Sequence, residues 1–139
     1  GPLAKSKAAG AELVVVPNAS PFVADKHEQR MQLLSQQARS QQIPIIYVNN
    51  IGGQDELVFD GGSMVMDANG HMSHFSGFFN ETLTPITIKK SEQQQISIEN
   101  DKHPVFIPDT MWRIYQALIL ATRDYITKNR FPGVMIGLS

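Results

Sequence analysis

Two short, continuous runs of aliphatic and β-branched residues constrain the fold of this chain most strongly. They lie at Glu12–Asn18 and Ile43–Asn49. Runs of this length without polar alternation are typical of strands buried on both faces of a parallel sheet. Between them, Ser20-Pro21 predicts the start of a helix, and apolar residues recur at helical spacing from His27 to Ala38. This order of elements predicts a βαβ unit with a right-handed crossover.

Shorter elements are predicted on both sides of this unit. A helix that ends at Gly10 precedes the first strand. The dipeptide Asn69-Gly70 predicts a hairpin that returns through residues 71–75. Two weaker strands are predicted at residues 84–89 and 95–99. We expect these two strands to lie at the edge of the fold.

The carboxyl-terminal part of the chain has its own pattern. Residues 101–108 contain two prolines and are predicted to be a linker. Asp109 can cap a helix that ends near Asn129, and residues 132–139 resemble another buried strand. We therefore expect a second domain to begin at residue 109. The predicted apolar face of its helix consists of Met111, Ile114, Tyr115, Leu118 and Tyr125.

Composition excludes several classes of protein. The 139 residues carry a formal charge of -1, so neither a nucleic acid nor an anionic membrane is an expected partner. Apolar runs fall far short of the roughly 20 residues that cross a bilayer, and we expect a cytoplasmic protein. With no cysteine, the chain offers no disulfide, thiolate ligand or thiol nucleophile. His71, His74 and His103 lack metal-ligand spacing, so we infer no metal site.

Candidate ligand-binding residues follow the first predicted strand. Ligands of α/β proteins tend to bind at the carboxyl ends of strands, where helix amino ends converge. Ser20 therefore either contacts a ligand or caps the following helix. Lys26 and Arg30 are one helical turn apart and either hold a carboxylate or are solvated. His27 falls on the apolar side of the helix, which favours packing over a role as a base.

The segment GQDELVFDGGS, residues 53–63, combines glycines with the acids Asp55, Glu56 and Asp60. Glycine permits positive φ and close backbone approach, and the carboxylates can accept hydrogen bonds from an ammonium group. An acidic surface loop between strands is the alternative. The apolar residues 57–59 argue against a wholly solvated loop.

A family resemblance is carried by the segments AGAELVVVPNASPFVADKHEQR, IPIIYVNNIGGQDELVFDGGSMVMDANG and IYQALILATRDYITKNRFPGVMIGLS. In order and spacing they resemble bacterial glutamine-dependent NAD+ synthetases, whose amino-terminal half is a nitrilase-like glutaminase. The resemblance implies an α/β fold in which residues 1–100 form the carboxyl-terminal part of a nitrilase-like αββα sandwich. It also implies that residues 109–139 form the first helix and strand of an ATP-pyrophosphatase-type α/β domain, with 101–108 as the linker.

The same resemblance implies an activity. In this family a Glu is the general base, a Lys stabilises the oxyanion, and a Cys attacks the glutamine amide to form a thioester. All three are expected upstream of Gly1, so we expect no catalytic residue in this chain and no activity from it alone. The released ammonia then converts deamido-NAD+, nicotinic acid adenine dinucleotide, into NAD+ in a reaction that uses ATP and Mg2+. A homo-oligomer is also expected.

Family positions also match individual residues. The glutamine-binding serine matches Ser20, and the basic residue six positions later matches Lys26, where some members carry arginine. The resemblance thus favours a ligand role for Ser20. Glu56 or Asp60 is expected to border the pocket and to orient the base, the lysine or the amino end of glutamine. The alternative, that these acids only tie the loop into the fold, stays open.

At the other end, Gly137, Leu138 and Ser139 match the start of the SGGxDS loop of ATP pyrophosphatases, whose amides cradle phosphates. We expect the ATP site to be incomplete here. Two other functions are possible: a free-standing nitrilase-like amidase, or a non-catalytic nitrilase-fold interaction module. The predicted strand at the carboxyl end argues against the amidase, which has no need of a strand that leads to a phosphate loop.

Overall fold

The computed structural model describes residues 1–93, 95–99 and 106–138. It is an α/β structure built around a four-stranded sheet with the order β1-β2-β5-β6. In chain order the elements are α1 (Pro2–Ala8), β1 (Val14–Asn18), α2 (Lys26–Gln41), β2 (Ile45–Asn49), β3 (Ile51–Gln54), β4 (Leu57–Asp60), β5 (Met64–Met66), β6 (Met72–Phe75), β7 (Ile88–Lys90), β8 (Ile96–Ile98) and α3 (Thr110–Lys128).

The predicted βαβ unit is confirmed. β1 and β2 pair in parallel, from Val14 opposite Ile45 to Asn18 opposite Asn49, and α2 connects them. β5 and β6 then extend the sheet in antiparallel fashion, as the dipeptide Asn69-Gly70 predicted for a hairpin. The carboxyl ends of β1 and β2 consequently lie side by side at one edge of the sheet.

The predicted start of α2 at Ser20-Pro21 is wrong. The helix begins at Lys26, with Asp25 at the N-cap position. The backbone groups of residues 20–22 bond to distant parts of the chain instead; for example, the Phe22 amide donates to the Val58 carbonyl at 2.7 Å. A backbone that is engaged by tertiary partners cannot also form the first turn of a helix.

Two buried clusters form the core. The first lies between α2 and one face of the sheet and consists of Ala38, Ile45, Tyr47, Met64 and Met66. The second lies beneath α3 and consists of Phe78, Phe79, Ala117 and Leu120. The opposite face of the sheet is partly open, because Val15 is 53% and Val48 45% exposed, whereas Val65 and His74 on the same face are buried. β1 is therefore covered on one side only, whereas β5 is covered on both.

The hairpin of β3 and β4 packs against α3. Asp109 caps α3 as predicted, with its carboxylate accepting a hydrogen bond from the Trp112 amide at 2.8 Å. The predicted apolar face of α3 is wrong: Met111, Tyr115, Leu118 and Tyr125 are exposed, whereas Arg113, Ala117 and Leu120 are buried. Small residues on that second face allow the helix to approach the hairpin closely.

The predicted strand at the carboxyl end is not formed over residues 132–138, which are exposed. A buried strand needs a neighbour to bond with, and no described strand lies beside this segment. The edge strands β7 and β8 do form, as a two-stranded sheet that is shorter than predicted. Residues 101–105 of the predicted linker lie outside the described residues. Among the helices described, none combines the length and the apolar character that crossing a membrane requires.

Candidate functional site

Asn49 organises the edge at which β1 and β2 end. Its side-chain oxygen accepts a hydrogen bond from the Ser20 amide at 2.8 Å. Its side-chain nitrogen donates to the carbonyls of Ser20, at 3.1 Å, and Gly61, at 3.0 Å. Asn49 thus holds both the amide and the carbonyl of Ser20. Asn49 was not among the predicted site residues, although a polar residue that ends a buried strand was an available signal.

A buried ion pair lies directly behind this clamp. Arg30 on α2 donates from both terminal nitrogens to one Asp60 oxygen at 3.2 Å, and the side chains are only 8% and 1% exposed. The same guanidinium donates to the Pro21 carbonyl at 3.2 Å. Burial raises the pKa of the Asp60 carboxyl, while the adjacent Arg30 guanidinium acts in the opposite direction. The pair therefore fixes residues 20 and 21 from the helix side.

We define the Ser20 segment as residues 18–25, between β1 and α2. Its backbone is held by Asn49 and Arg30, whereas the hydroxyl of Ser20 makes no hydrogen bond to any described residue. Ser20 does not cap α2, which begins six residues later. Of the two roles that the sequence left open, helix capping is excluded. Ligand binding by Ser20 stays a prediction.

The two basic residues of the first turns of α2 have different environments. Lys26 is half-buried, and its ammonium group forms no ion pair with any residue that the structure describes. Arg30 is neither solvated nor available for a ligand carboxylate, because Asp60 occupies it. A joint carboxylate site of Lys26 and Arg30 is therefore wrong. The predicted contact of Lys26 with glutamine is untested.

The acids of residues 53–63 separate into two environments. Glu56 is exposed at the turn between β3 and β4, where Asp55 has φ +51°. Asp60 is buried and paired with Arg30, so it contributes to the site through the backbone of the Ser20 segment. Its position matches the alternative that the acid ties this region into the fold. A pocket-border role for Glu56 or Asp60 stays a prediction.

The glycines of this region also serve two purposes. Gly53 lies under α3, where an added Cβ would stand 3.1 Å from the Ala121 Cα, so a side chain there would push the helix away. Its amide donates to the Asp124 carboxylate at 2.7 Å. Gly61 and Gly62 have φ of +72° and +65°, which confirms the expectation of positive φ. Gly61 and Gly62 line a cleft and do not lie at the contact with α3.

That cleft, of about 470 Å³, lies on the open face of the sheet. Its polar lining comes from Asn49, Asn50 and Ser63, together with Ser76, Asn80, Glu81, Thr82 and Thr84. Ser20, Lys26, Glu56 and Asp60 do not line it. Asn49 connects the two places, because it lines the cleft and holds Ser20 through its side chain. The candidate site is therefore the strand-end edge between the Ser20 segment and this cleft.

A second ion pair, between a buried arginine and a partly exposed glutamate, joins α2 to α3. Arg113 donates to the Glu28 carboxylate at 2.6 Å, and its guanidinium lies 5.6 Å from the centre of the Phe78 ring. Burial raises the pKa of Glu28, but hydrogen bonds from the backbone and from Arg113 outweigh it and lower that pKa. This contact was not predicted from the sequence, because the two residues are 85 positions apart and α3 was assigned to another domain.

His27 is packed near this ion pair, as its position on the apolar side of the helix predicted. Its ring lies 4.8 Å from the ring of Phe78 and 5.4 Å from that of Phe75, and neither ring nitrogen has a partner among the described residues. Burial lowers the pKa of His27 to about 4, and Arg113 and Arg30 add to the effect against Glu28. His27 is therefore neutral at pH 7 and is not placed as a base for the site.

Residues 137 and 138 are exposed, and Ser139 lies outside the described residues. ATP binding by Gly137, Leu138 and Ser139 stays a prediction. Within residues 1–93, 95–99 and 106–138, no group of three His, Asp or Glu side chains is placed to hold a metal ion. His103 lies outside those ranges.

Comparison with known proteins extends these observations. Residues 3–97 match the carbon-nitrogen hydrolase family. The glutamine-dependent NAD(+) synthetase of Xylella fastidiosa (strain 9a5c) is 40% identical over 139 residues, which cover 99% of this chain and 25% of that protein. The same enzyme of Acinetobacter baylyi is 36% identical over 130 residues, which cover 92% of this chain and 23% of that protein.

A solved structure is similar over nearly the same range. The glutamine-dependent NAD+ synthetase from Acinetobacter baumannii, in complex with adenosine diphosphate, superposes with a TM-score of 0.81 and 34% identity. The superposition covers 94% of this chain and 24% of that chain. The chain thus spans about a quarter of the length of the relatives that it matches.

Proposed function

This chain belongs to the carbon-nitrogen hydrolase family, and from that premise we propose that it acts within a glutamine-dependent NAD+ synthetase. In such an enzyme, glutamine hydrolysis supplies ammonia for the ATP-dependent amidation of deamido-NAD+. The chain contributes a wall of the glutamine pocket. The proposal is supported by the 34% to 40% identity to proteins of that name across almost the whole chain.

The observation that carries the proposal is the immobilised backbone of Ser20 with its hydroxyl unpaired among the described residues. A hydroxyl both donates and accepts, which suits the side-chain amide or the α-amino and α-carboxyl groups of glutamine. Because Asn49 and Arg30 already fix the segment, little ordering is left to oppose binding. We therefore assign the Ser20 hydroxyl to glutamine.

Lys26 adds a cationic group one residue beyond the Ser20 segment. Its ammonium group has no ionic partner in the described part of the chain, and Asp60 is already neutralised by Arg30. We assign Lys26 to the α-carboxylate of glutamine, as a point charge rather than a planar fork. Binding and orientation of glutamine are the contributions of this chain to catalysis.

The chemical groups that break the amide bond lie elsewhere in this proposal. The chain has no cysteine, so the attacking thiol belongs to other polypeptide, and the family resemblance places the accompanying Glu and Lys there as well. ATP and Mg2+ supply the activation of deamido-NAD+ in the intact enzyme. A homo-oligomer and a cytoplasmic location complete the proposal.

Ser20→Ala in the intact enzyme tests the assignment. NAD+ formation is measured with deamido-NAD+ and ATP, using either glutamine or ammonium chloride as the nitrogen source. A lost hydrogen bond of about 1 to 2 kcal/mol raises the KM for glutamine roughly 5- to 30-fold, while the ammonium-supported rate is unchanged. Ser40→Ala, an exposed serine on α2, is the matched control and leaves both values unchanged.

Three results would contradict the proposal. An unchanged KM for glutamine in the Ser20→Ala enzyme removes Ser20 from the pocket. Release of ammonia from amides without any NAD+ formation favours the free-standing amidase instead. Absence of both activities favours a non-catalytic interaction module.

A further inference from the structure

The contact between Glu28 and Arg113 joins α2 to α3 and buries the arginine side chain. The Arg113 side chain is 3% exposed and that of Glu28 is 43% exposed, with a nitrogen–oxygen distance of 2.6 Å. The same Arg113 nitrogen also donates to the Thr110 hydroxyl at 3.1 Å. Because Arg113 is enclosed, Glu28 is the carboxylate that neutralises it among the described residues. A charge-assisted hydrogen bond of this kind is strong and directional.

Glu28 lies in the first turn of α2, directly after the Ser20 segment. Lys26 begins that turn, and Arg30 is in the turn that follows. Two contacts therefore set the position of the amino-terminal end of α2. Glu28 accepts a hydrogen bond from Arg113 of α3, and Arg30 is paired with Asp60 of β4. The Ser20 segment enters α2 between them.

α3 is itself firmly held, so it can act as a fixed support. Asp124 accepts a hydrogen bond from the Gly53 amide, and Lys128 donates to the Gly53 carbonyl. Leu120 and Ala117 are buried against Phe78 and Phe79. Because the second half of α3 is bound to β3, the position of Arg113 relative to α2 is fixed.

From these contacts we infer that Arg113 is a positioning residue for glutamine: through Glu28 it sets the first turn of α2, and with it Lys26 and the Ser20 segment. The inference rests on the proposed function. Arg113 does not contact glutamine itself. It acts on the site by fixing the first turn of α2. Losing the contact therefore weakens glutamine binding without affecting the reaction that consumes ammonia.

Arg113→Lys and Glu28→Gln test this in the intact enzyme. Lysine keeps the charge but cannot bond to both Glu28 and Thr110 in the same geometry. In Glu28→Gln, the side-chain amide oxygen at position 28 can still accept a hydrogen bond from Arg113, and this position is half-exposed. Each variant is expected to raise the KM for glutamine about 5- to 20-fold, while the ammonium-supported kcat stays within about twofold. Arg123→Lys, an exposed arginine on the same helix, is the matched control and changes neither value.

The double variant provides an independent measurement. If the two residues act through one contact, the KM of Arg113→Lys with Glu28→Gln resembles that of the more impaired single variant rather than the product of both effects. A KM for glutamine that stays within twofold of wild type overturns the inference. So does an ammonium-supported kcat that falls in parallel with the glutamine-supported one, or a Glu28→Gln protein that does not fold, because either result makes the contact purely structural.

The proposed function fails in a different way. A wild-type enzyme that forms no NAD+ from glutamine removes the proposed function and this inference together. Wild-type activity with unaltered variants removes the inference alone.

Discussion

Arg30 and Asp60 form a buried ion pair that joins α2 to the end of β4, with one carboxylate oxygen 3.2 Å from both terminal nitrogens of the guanidinium. The pair does not stand alone, because Arg30 also bonds to the Pro21 carbonyl and Asn49 bonds to Asp60 at 3.3 Å. The wall that we assign to glutamine therefore rests on a charged network rather than on apolar packing. Such a network tolerates the loss of one member poorly.

Asp60→Asn should destabilise the protein strongly. The substitution leaves Arg30 charged and buried, and breaking a buried pair on one side costs about 3 to 5 kcal/mol. Urea-induced unfolding, followed by circular dichroism, measures the change in the free energy of unfolding. Glu99→Gln, which removes the exposed pair with Lys89, is the control and changes that free energy by less than about 1 kcal/mol. A loss below about 1 kcal/mol for Asp60→Asn would show that Arg30 becomes solvated by water once the carboxylate is removed.

Gly53→Ala should loosen α3. The added Cβ would lie 3.1 Å from the Ala121 Cα and 3.3 Å from the Asp124 Cβ, and the first of these is a backbone atom that moves only with the helix. Overpacking of this kind costs about 1 to 3 kcal/mol. Thermal unfolding and amide hydrogen exchange in α3 report the effect. Gly133→Ala, where no atom lies within 4 Å of the added Cβ, serves as the control. Equal melting temperatures for the two variants would contradict the close contact.

Asn49→Ala should release the Ser20 segment from the strand edge. The change removes the hydrogen bonds to the amide and carbonyl of Ser20 and leaves the Gly61 carbonyl without this donor. Each buried group left unsatisfied costs about 1 to 3 kcal/mol, so both stability and the affinity for glutamine should fall. Urea unfolding and the KM for glutamine are the measurements. Asn129→Ala, at the exposed end of α3, is the control; an Asn49→Ala enzyme that matches it would refute the clamp.

His27 should make the protein less stable in mild acid. Its pKa is about 4 in the folded state against an ordinary value of 6.5, so the unfolded state binds more protons between these values. The stabilisation is fully present above pH 6.5 and is lost as the pH falls towards 4, by about 3 kcal/mol in total.

His27→Phe isolates this contribution, since phenylalanine preserves the packing against Phe75 and Phe78 and does not titrate. Between pH 7 and pH 4, the free energy of unfolding of the variant should fall by about 3 kcal/mol less than that of the wild type. Urea unfolding at several pH values measures the difference. His71→Gln, which removes the imidazole of an exposed histidine, is the control. Parallel profiles for wild type and His27→Phe would mean that another group titrates.

Much of the fold could be predicted because its signals are local. The buried runs at β1 and β2, the dipeptide Asn69-Gly70 and the Asp109 cap each determine the backbone through their immediate neighbours. The start of α2 could not be predicted in that way. Ser20-Pro21 has the chemistry of a helix start, but Asn49 and Arg30 bind that backbone from 29 and about 10 positions away.

The same limit applies to α3. Its helical pattern and cap are local, whereas the face that it buries depends on the hairpin of β3 and β4. Met111, Tyr115 and Leu118 are the more apolar side, yet Ala117 and Ala121 lie against the hairpin, where Gly53 leaves room for backbone to approach. Apolar periodicity identifies a helix but does not identify its partner.

The sequence by itself determined the α/β class, the parallel pair with its connecting helix, and the position of Ser20 after the first strand. These follow from the periodicity of side chains along the chain, which needs no knowledge of distant residues. Only the tertiary structure decided that Arg30 pairs with Asp60, that Asn49 holds Ser20, and that Arg113 reaches Glu28. The physical reason is that a buried charge or amide is stable only where a partner from another element is brought within hydrogen-bond distance, and chain folding alone selects that partner.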